Sequence, residues 1–193
     1  MRTLVIHPDD RSTDFLKAVY KDIPDATVIT GGLYQYEVDA EIMRHDRIII
    51  LGHGTPSGLL SVGQFLGNPS HIVDDMSAKY LADKKENIYI WCYASDYVKK
   101  HKLTGFASGM FISEVGEANY CGIPHQTKKD IDIQCEYFCN LVGAAINMPS
   151  KELYKFVSQE FGEMTVHCKV AEYNHRRLYL AERIIGEEKT IIK

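Results

Sequence analysis

The sequence predicts one three-layer α/β/α sandwich built on a mostly parallel sheet of five to six strands. Three observations lead there. Apolar runs at 48–51 and 88–91 are bounded by turn residues, the pattern of parallel strands buried on both faces. Such runs alternate with segments of helical spacing, and repeated strand–helix units build a parallel sheet with helices on both faces. The last third of the chain is mostly helical in its periodicity. At 193 residues the chain is expected to be a single domain, 1–193, without repeat, linker or low-complexity segment.

In chain order, residues 3–6 read as the first strand, ending at His7-Pro8-Asp9-Asp10. A helix follows, with Ser12 or Thr13 as N-cap and Phe15, Leu16, Val19 and Tyr20 on its buried face. Residues 26–30 read as a second strand stopped by Gly31-Gly32, 38–45 as a short helix and 48–51 as the third strand. Pro56, Gly58, Gly63 and Gly67 make 55–68 a loop or small hairpin over the strand ends. Pro69-Ser70 is expected to open a helix carrying Ile72, Val73, Met76, Tyr80 and Leu81. Residues 88–91 are the fourth strand, Ser95 or Asp96 caps a short helix near Val98, and 109–113 is the fifth strand. Ile131, Cys135, Phe138, Leu141, Val142, Ala145 and Ile146 form a helical stripe, Pro149-Ser150 breaks it, and Leu153, Phe156 and Val157 belong to the next helix. A last helix is expected over 166–185.

Composition narrows the function. The formal net charge of −4 leaves no dominant nucleic-acid footprint. The basic clusters Lys99-Lys100-His101-Lys102 and His175-Arg176-Arg177 read as solvated helix faces. No apolar run approaches the roughly eighteen residues of a membrane helix, and the opening segment reads as a strand rather than a signal peptide. Five cysteines, an odd number without framework spacing, fit a reducing compartment. A cytoplasmic protein binding neither nucleic acid nor membrane is therefore expected, with free thiols available for chemistry.

Two strand ends carry reactive residues. Arg47-Ile48-Ile49-Ile50-Leu51 runs into Gly52-His53-Gly54, and Asn87-Ile88-Tyr89-Ile90-Trp91 runs into Cys92-Tyr93-Ala94-Ser95. In open α/β sheets ligands bind beyond the carboxyl ends of strands. A thiol nucleophile needs a base and donors for the oxyanion it creates. His53 is the candidate base, Cys92 the candidate nucleophile, and the backbone N–H groups of Gly54 and Cys92 are candidate oxyanion donors. Taken singly, each residue favours a structural reading: a buried core cysteine and a turn histidine.

Together, His-Gly ending one strand and Cys ending the next resemble the dyad of the caspase-like (clan CD) cysteine peptidases, which include caspases, legumains, gingipains, clostripain and separase. The strand–helix order from residue 3 to about 115 is similar as well. No single member is matched. The caspase signature Gln-Ala-Cys-x-Gly is replaced by Ile90-Trp91-Cys92-Tyr93-Ala94, and His53 and Cys92 are 39 positions apart, against roughly 50 in caspases. The resemblance implies a caspase-like fold, a flavodoxin-like one being the alternative. It also implies a cysteine endopeptidase acting on a peptide or protein substrate without a cofactor. Asp9, Asp10 and Glu114 are the candidates for a substrate pocket at neighbouring strand ends, favouring a basic residue before the cut. Arg11 keeps an acidic preference open, and Asp9 is an alternative partner for His53.

Two other readings compete. One is a non-catalytic ligand- or protein-binding module, favoured if Trp91 and Tyr93 cover the strand end. The other is a metal-dependent deacetylase, because His7-Pro8-Asp9-Asp10 is similar to the His-Pro-Asp-Asp segment of zinc N-acetylglucosamine-type deacetylases; Arg11 stands where that family has Glu. No metal site is assigned. Receiver-like, Gly-x-Ser-x-Gly and nucleotide-loop patterns are absent. Cys135 and Cys139 read as core, and Cys121 ranks below Cys92 as a thiol nucleophile.

Overall fold

The computed structural model describes residues 1–182 and the backbone of 191–192. The chain opens with β1 (Thr3–Ile6), a 3-10 helix (Arg11–Val19), β2 (Thr27–Ile29), α1 (Gln35–Arg44) and β3 (Arg47–Leu51). A small antiparallel sheet follows, made of β4 (Gly54–Thr55), β5 (Gly58–Leu60) and β6 (His71–Val73), side by side in that order. Then come α2 (Ala78–Leu81), β7 (Ile88–Ile90), α3 (Ala94–Lys100) and β8 (Gly105–Ser108). The helical portion contains α4 (Val115–Tyr120), α5 (Lys128–Ala144), α6 (Ser150–Met164) and α7 (Lys169–His175). It ends in β9 (Leu178–Ala181), and β10 (Ile191–Ile192) closes the sequence of elements.

The main sheet runs β2-β1-β3-β7-β8-β9. The first five of these strands are parallel, β9 is antiparallel to β8, and the two-residue β10 borders β9. The apolar runs are long because both faces are covered. Alternate side chains of a strand point to opposite faces. Accordingly Val5, Ile49, Leu51, Ile88, Ile90 and Phe106 pack under the 3-10 helix and α5–α7. Leu4, Ile6, Ile48, Ile50, Tyr89 and Ala107 pack under α1–α3. This is the expected three-layer α/β/α sandwich. Burying each such side chain contributes roughly 1.5–3 kcal/mol. The side chain of Asn87 fixes the register at the sheet's centre, accepting from the Ile48 N–H at 3.0 Å and donating to the Tyr89 hydroxyl at 2.9 Å. Among the described residues no helix is long and apolar enough to cross a membrane.

The details differ from the sequence reading at five places, the first being the cap of α3, where Tyr93 stands and Ser95 and Asp96 lie within the helix. Residues 11–19 form a 3-10 helix capped by Asp10, whose carboxylate accepts the Ser12 N–H; Ser12 is not the cap. Ile72 and Val73 lie in β6, paired with β5, so the helix expected from Pro69-Ser70 shrinks to α2. The fifth strand is β8, earlier than 109–113. Ile112 is held instead by side chains from the helical layer: its N–H donates to Asn174 Oδ1 at 2.7 Å, and its carbonyl accepts from Asn174 Nδ2 and Gln134 Nε2 at 3.0 and 3.1 Å. Those fully buried amides supply the hydrogen bonds a sheet neighbour would have made. The helix expected over 166–185 is α7 followed by the antiparallel β9; its last residues, 183–185, lie outside the described residues.

Candidate active site

β3 and β7 are neighbours, with Leu51 opposite Ile90, so the segments leaving their carboxyl ends emerge side by side. Gly52 and His53 connect β3 to the small sheet. Trp91 and Cys92 connect β7 to α3 through a tight turn in which the Ala94 N–H donates to the Trp91 carbonyl at 3.1 Å. Tyr93 completes that turn in the left-handed region, φ 69° and ψ 22°, which is uncommon for a bulky residue. Strand, sharp turn and helix thus present Cys92 at the carboxyl end of an interior strand.

His53 and Cys92 line one small cavity of about 20 Å³, with Thr13, Leu16, Phe111 and Ser113 among its other walls. That is room for about one water molecule. The Cys92 Sγ–H donates to the Phe111 carbonyl at 3.6 Å, and burial pushes the thiol up to about 11. At neutral pH the sulfur is therefore protonated.

The histidine is tethered on one side. His53 Nε2 lies 2.7 Å from Ser12 Oγ, and Ser12 Oγ lies 2.7 Å from Asp10 Oδ1. A hydroxyl has one proton to give. Asp10 carries no proton at neutral pH, because the Ser12 hydroxyl and N–H hold its carboxyl below the usual carboxylate range. Ser12 gives its proton to Asp10 and accepts one from His53 Nε2. This assigns the Nε2–H tautomer and leaves Nδ1 with its lone pair. Nδ1 has no hydrogen-bond partner among the described residues. The second Asp10 oxygen lies 4.0 Å from Nε2.

Gly54 sits in β4 against the flat of the Trp91 indole, and a Cβ at this position would collide with the ring. The Trp91 Nε1–H donates to the Thr55 carbonyl at 3.1 Å. Trp91 is thus buried beneath β4, where it also lines the His53–Cys92 cavity, while Tyr93 is exposed. The Leu60 N–H donates to the His53 carbonyl at 2.9 Å, which makes Gly54–Leu59 the non-hydrogen-bonded pair of the ladder. The Gly54 N–H therefore points away from β5.

The three pocket carboxylates are placed differently. Asp10 joins His53. Asp9 is exposed, and its N–H donates to the Thr30 carbonyl at 3.0 Å. Glu114 caps α4 and lies 3.7 Å from Lys128 Nζ. None of the three lines the cavity. His7 is buried with both ring nitrogens engaged, Nδ1 3.1 Å from the Tyr20 hydroxyl and Nε2 3.1 Å from Thr13 Oγ1, and burial lowers it to about 4. Among the described residues no group of three or more His, Cys, Asp or Glu is placed to hold a metal ion. Cys135 and Cys139 are buried in the core.

Two members of the site escaped the sequence reading. Ser12 was legible only as a capping residue, and the Phe111 carbonyl, being backbone, leaves no signal in the sequence. No protein-family model and no curated protein matches the chain.

Proposed function

We propose that the chain is a cysteine endopeptidase in which His53 and Cys92 form the catalytic dyad. One observation carries the reading: base and thiol, 39 positions apart in sequence, line the same cavity at adjacent strand ends, with the histidine tethered through Nε2 and its other nitrogen without a hydrogen-bond partner among the described residues. Nδ1 takes the Cys92 proton as Sγ attacks the peptide carbonyl carbon. The carbonyl oxygen becomes an oxyanion, and the Gly54 and Cys92 N–H groups are the donors within the site for it. The C–N bond breaks, the leaving amine takes the proton from Nδ1, and a thioester remains on Cys92. Water, giving a proton to Nδ1, then hydrolyses it and restores the thiol. Burial keeps the resting thiol protonated, so proton transfer accompanies attack instead of preceding it. Of the three candidate carboxylates Asp10 alone lies beside His53, outside the cavity wall, and a basic residue before the cut is the corresponding preference.

The test is labelling with a peptidyl acyloxymethyl ketone. The expected result is a single adduct on Cys92, abolished in Cys92→Ala and slowed at least tenfold in His53→Ala. An adduct on another cysteine, or none with any peptide, overturns the proposal. A non-catalytic binding module is the second reading, favoured by the thiol's hydrogen bond to Phe111 and the small size of the cavity.

A further inference from the structure

Four of the large apolar side chains left exposed come together in one place. Tyr34, Tyr36, Leu66 and Met76 line a concave pocket of about 410 Å³ between the start of α1 and the segments flanking β6. The two tyrosine rings stack, with centroids 5.5 Å apart and planes inclined by 14°. Concave pockets of this size, lined by aromatic and apolar side chains with a few polar groups, are where ligands bind.

The charged residues of the wall, Asp39 and Asp74, are both acidic. Asp39 Oδ1 accepts the Ser77 hydroxyl at 2.7 Å, and Asp74 Oδ1 accepts the N–H groups of Met76 and Ser77 at 2.8 and 3.3 Å. The other oxygen of each carboxylate accepts no hydrogen bond from the described residues. Burial, with the Asp74 charge adding to it, raises Asp39 above the ordinary carboxylate value, against the opposing Ser77 hydrogen bond. A cation between the two acids relieves both effects. Lys79, the basic neighbour whose charge acts on Asp39, is exposed with its Nζ 4.7 Å over the Tyr80 ring and is not part of the wall.

Stacked aromatic rings beside two carboxylates with free oxygens define the cation's shape. An ammonium is a compact point charge. A guanidinium is planar, stacks on a tyrosine face, and directs several N–H donors at once to separate acceptors. We propose that this pocket binds an arginine side chain presented by a peptide or protein partner, its guanidinium stacked on the Tyr34–Tyr36 pair and bonded to Asp39 and Asp74. No residue lines both this pocket and the His53–Cys92 cavity. The arginine site is independent of whether Cys92 is a nucleophile.

The test uses fluorescence anisotropy of a labelled Ala-Ala-Arg-Ala peptide on the Cys92→Ala protein, so that no cleavage interferes. The comparison is the same peptide with citrulline, a neutral near-isostere, in place of arginine. The arginine peptide is expected to bind at least about tenfold more tightly. Asp39→Asn and Tyr36→Ala, each checked for folding by circular dichroism, should each weaken it about tenfold, and added salt should narrow the arginine–citrulline gap. Equal binding of the two peptides, or undiminished arginine binding in both variants, overturns the proposal. So does a concentration-dependent dimer that Tyr36→Ala dissolves, which would place a second copy of the chain on this surface. Labelling of Cys92 is read separately on the wild-type protein, so failure of one assignment is distinguishable from failure of the other.

Discussion

Replacing Ser12 with Ala is the sharpest probe of the proposed dyad, because it cuts the tether while leaving both reacting residues in place. The hydroxyl accepts from His53 Nε2 at 2.7 Å and donates to Asp10 at 2.7 Å. The Ser12 N–H that Asp10 uses to cap the 3-10 helix is retained, at 2.8 Å, so the helix should survive. Each lost hydrogen bond is worth about 1 kcal/mol. The site is part-exposed, with the His53 side chain at 31%, so water will replace some of that. A net loss of about 1–2 kcal/mol corresponds to roughly 5–30-fold in rate. The assay is inactivation of Cys92 by the peptidyl ketone, resolved into a binding constant and a maximal rate. Ser12→Ala should lower the maximal rate by about tenfold and leave the binding constant within about twofold. Ser12→Thr, which keeps the hydroxyl, should recover most of it. Asp10→Asn keeps an acceptor but removes the charge 4.0 Å from Nε2, and should fall between wild type and Ser12→Ala. Wild-type kinetics in Ser12→Ala would refute the tether. An equal fall in binding and rate would make Ser12 structural.

Three further outcomes follow from particular contacts. His7 is held neutral, lowered from 6.5 in the unfolded chain to about 4 in the fold, so its contribution is intact above about pH 6.5 and is lost as pH falls towards 4. Denaturant titrations should show about 3 kcal/mol less stability at low pH from this group, and His7→Gln should flatten that part of the pH dependence. Gly54→Ala places a methyl group inside the Trp91 ring, and should cost about 2 kcal/mol or more by thermal or urea unfolding and slow Cys92 labelling. Asn174→Ala removes two hydrogen bonds from the backbone of Ile112 and one from Gln134, and strands buried polar groups. A loss of about 2–4 kcal/mol is expected; a variant as stable as wild type would show that the clamp contributes nothing.

The strands buried on both faces were legible because short apolar runs rich in Ile, Val and aromatic residues, bounded by turn residues, fit a strand better than a helix. This placed β1, β3 and β7, and with them His53 and Cys92, whose positions are simply the ends of those runs. The 178–181 run was not legible: Leu-Tyr-Leu-Ala fits a helix as well as a strand, and only its antiparallel partner β8 decides the matter. The same holds for Ile72-Val73, which continues a helical stripe towards Met76 and Tyr80 until pairing with β5 is available. Ser12 was read as a cap because capping is a local rule. Its bond to His53 spans 41 positions, and no local rule contains it.

The helical third, which supplies no candidate side chain to the proposed dyad, nonetheless bears on the resting state of its thiol. Asn174 on α7 and Gln134 on α5 fix both backbone groups of Ile112, and Phe111 precedes it directly. The Phe111 carbonyl is therefore held where the Cys92 thiol donates to it. On the other side, the left-handed turn at Tyr93 holds the cysteine backbone in place at a cost of about 1–2 kcal/mol. Two rigid elements thus confine a protonated thiol, and the tethered imidazole completes the cavity. In the proposed mechanism, attack requires the Sγ–H to leave the Phe111 carbonyl for His53 Nδ1, and the hydrogen bond that this clamp presents to the thiol is the one that attack must break.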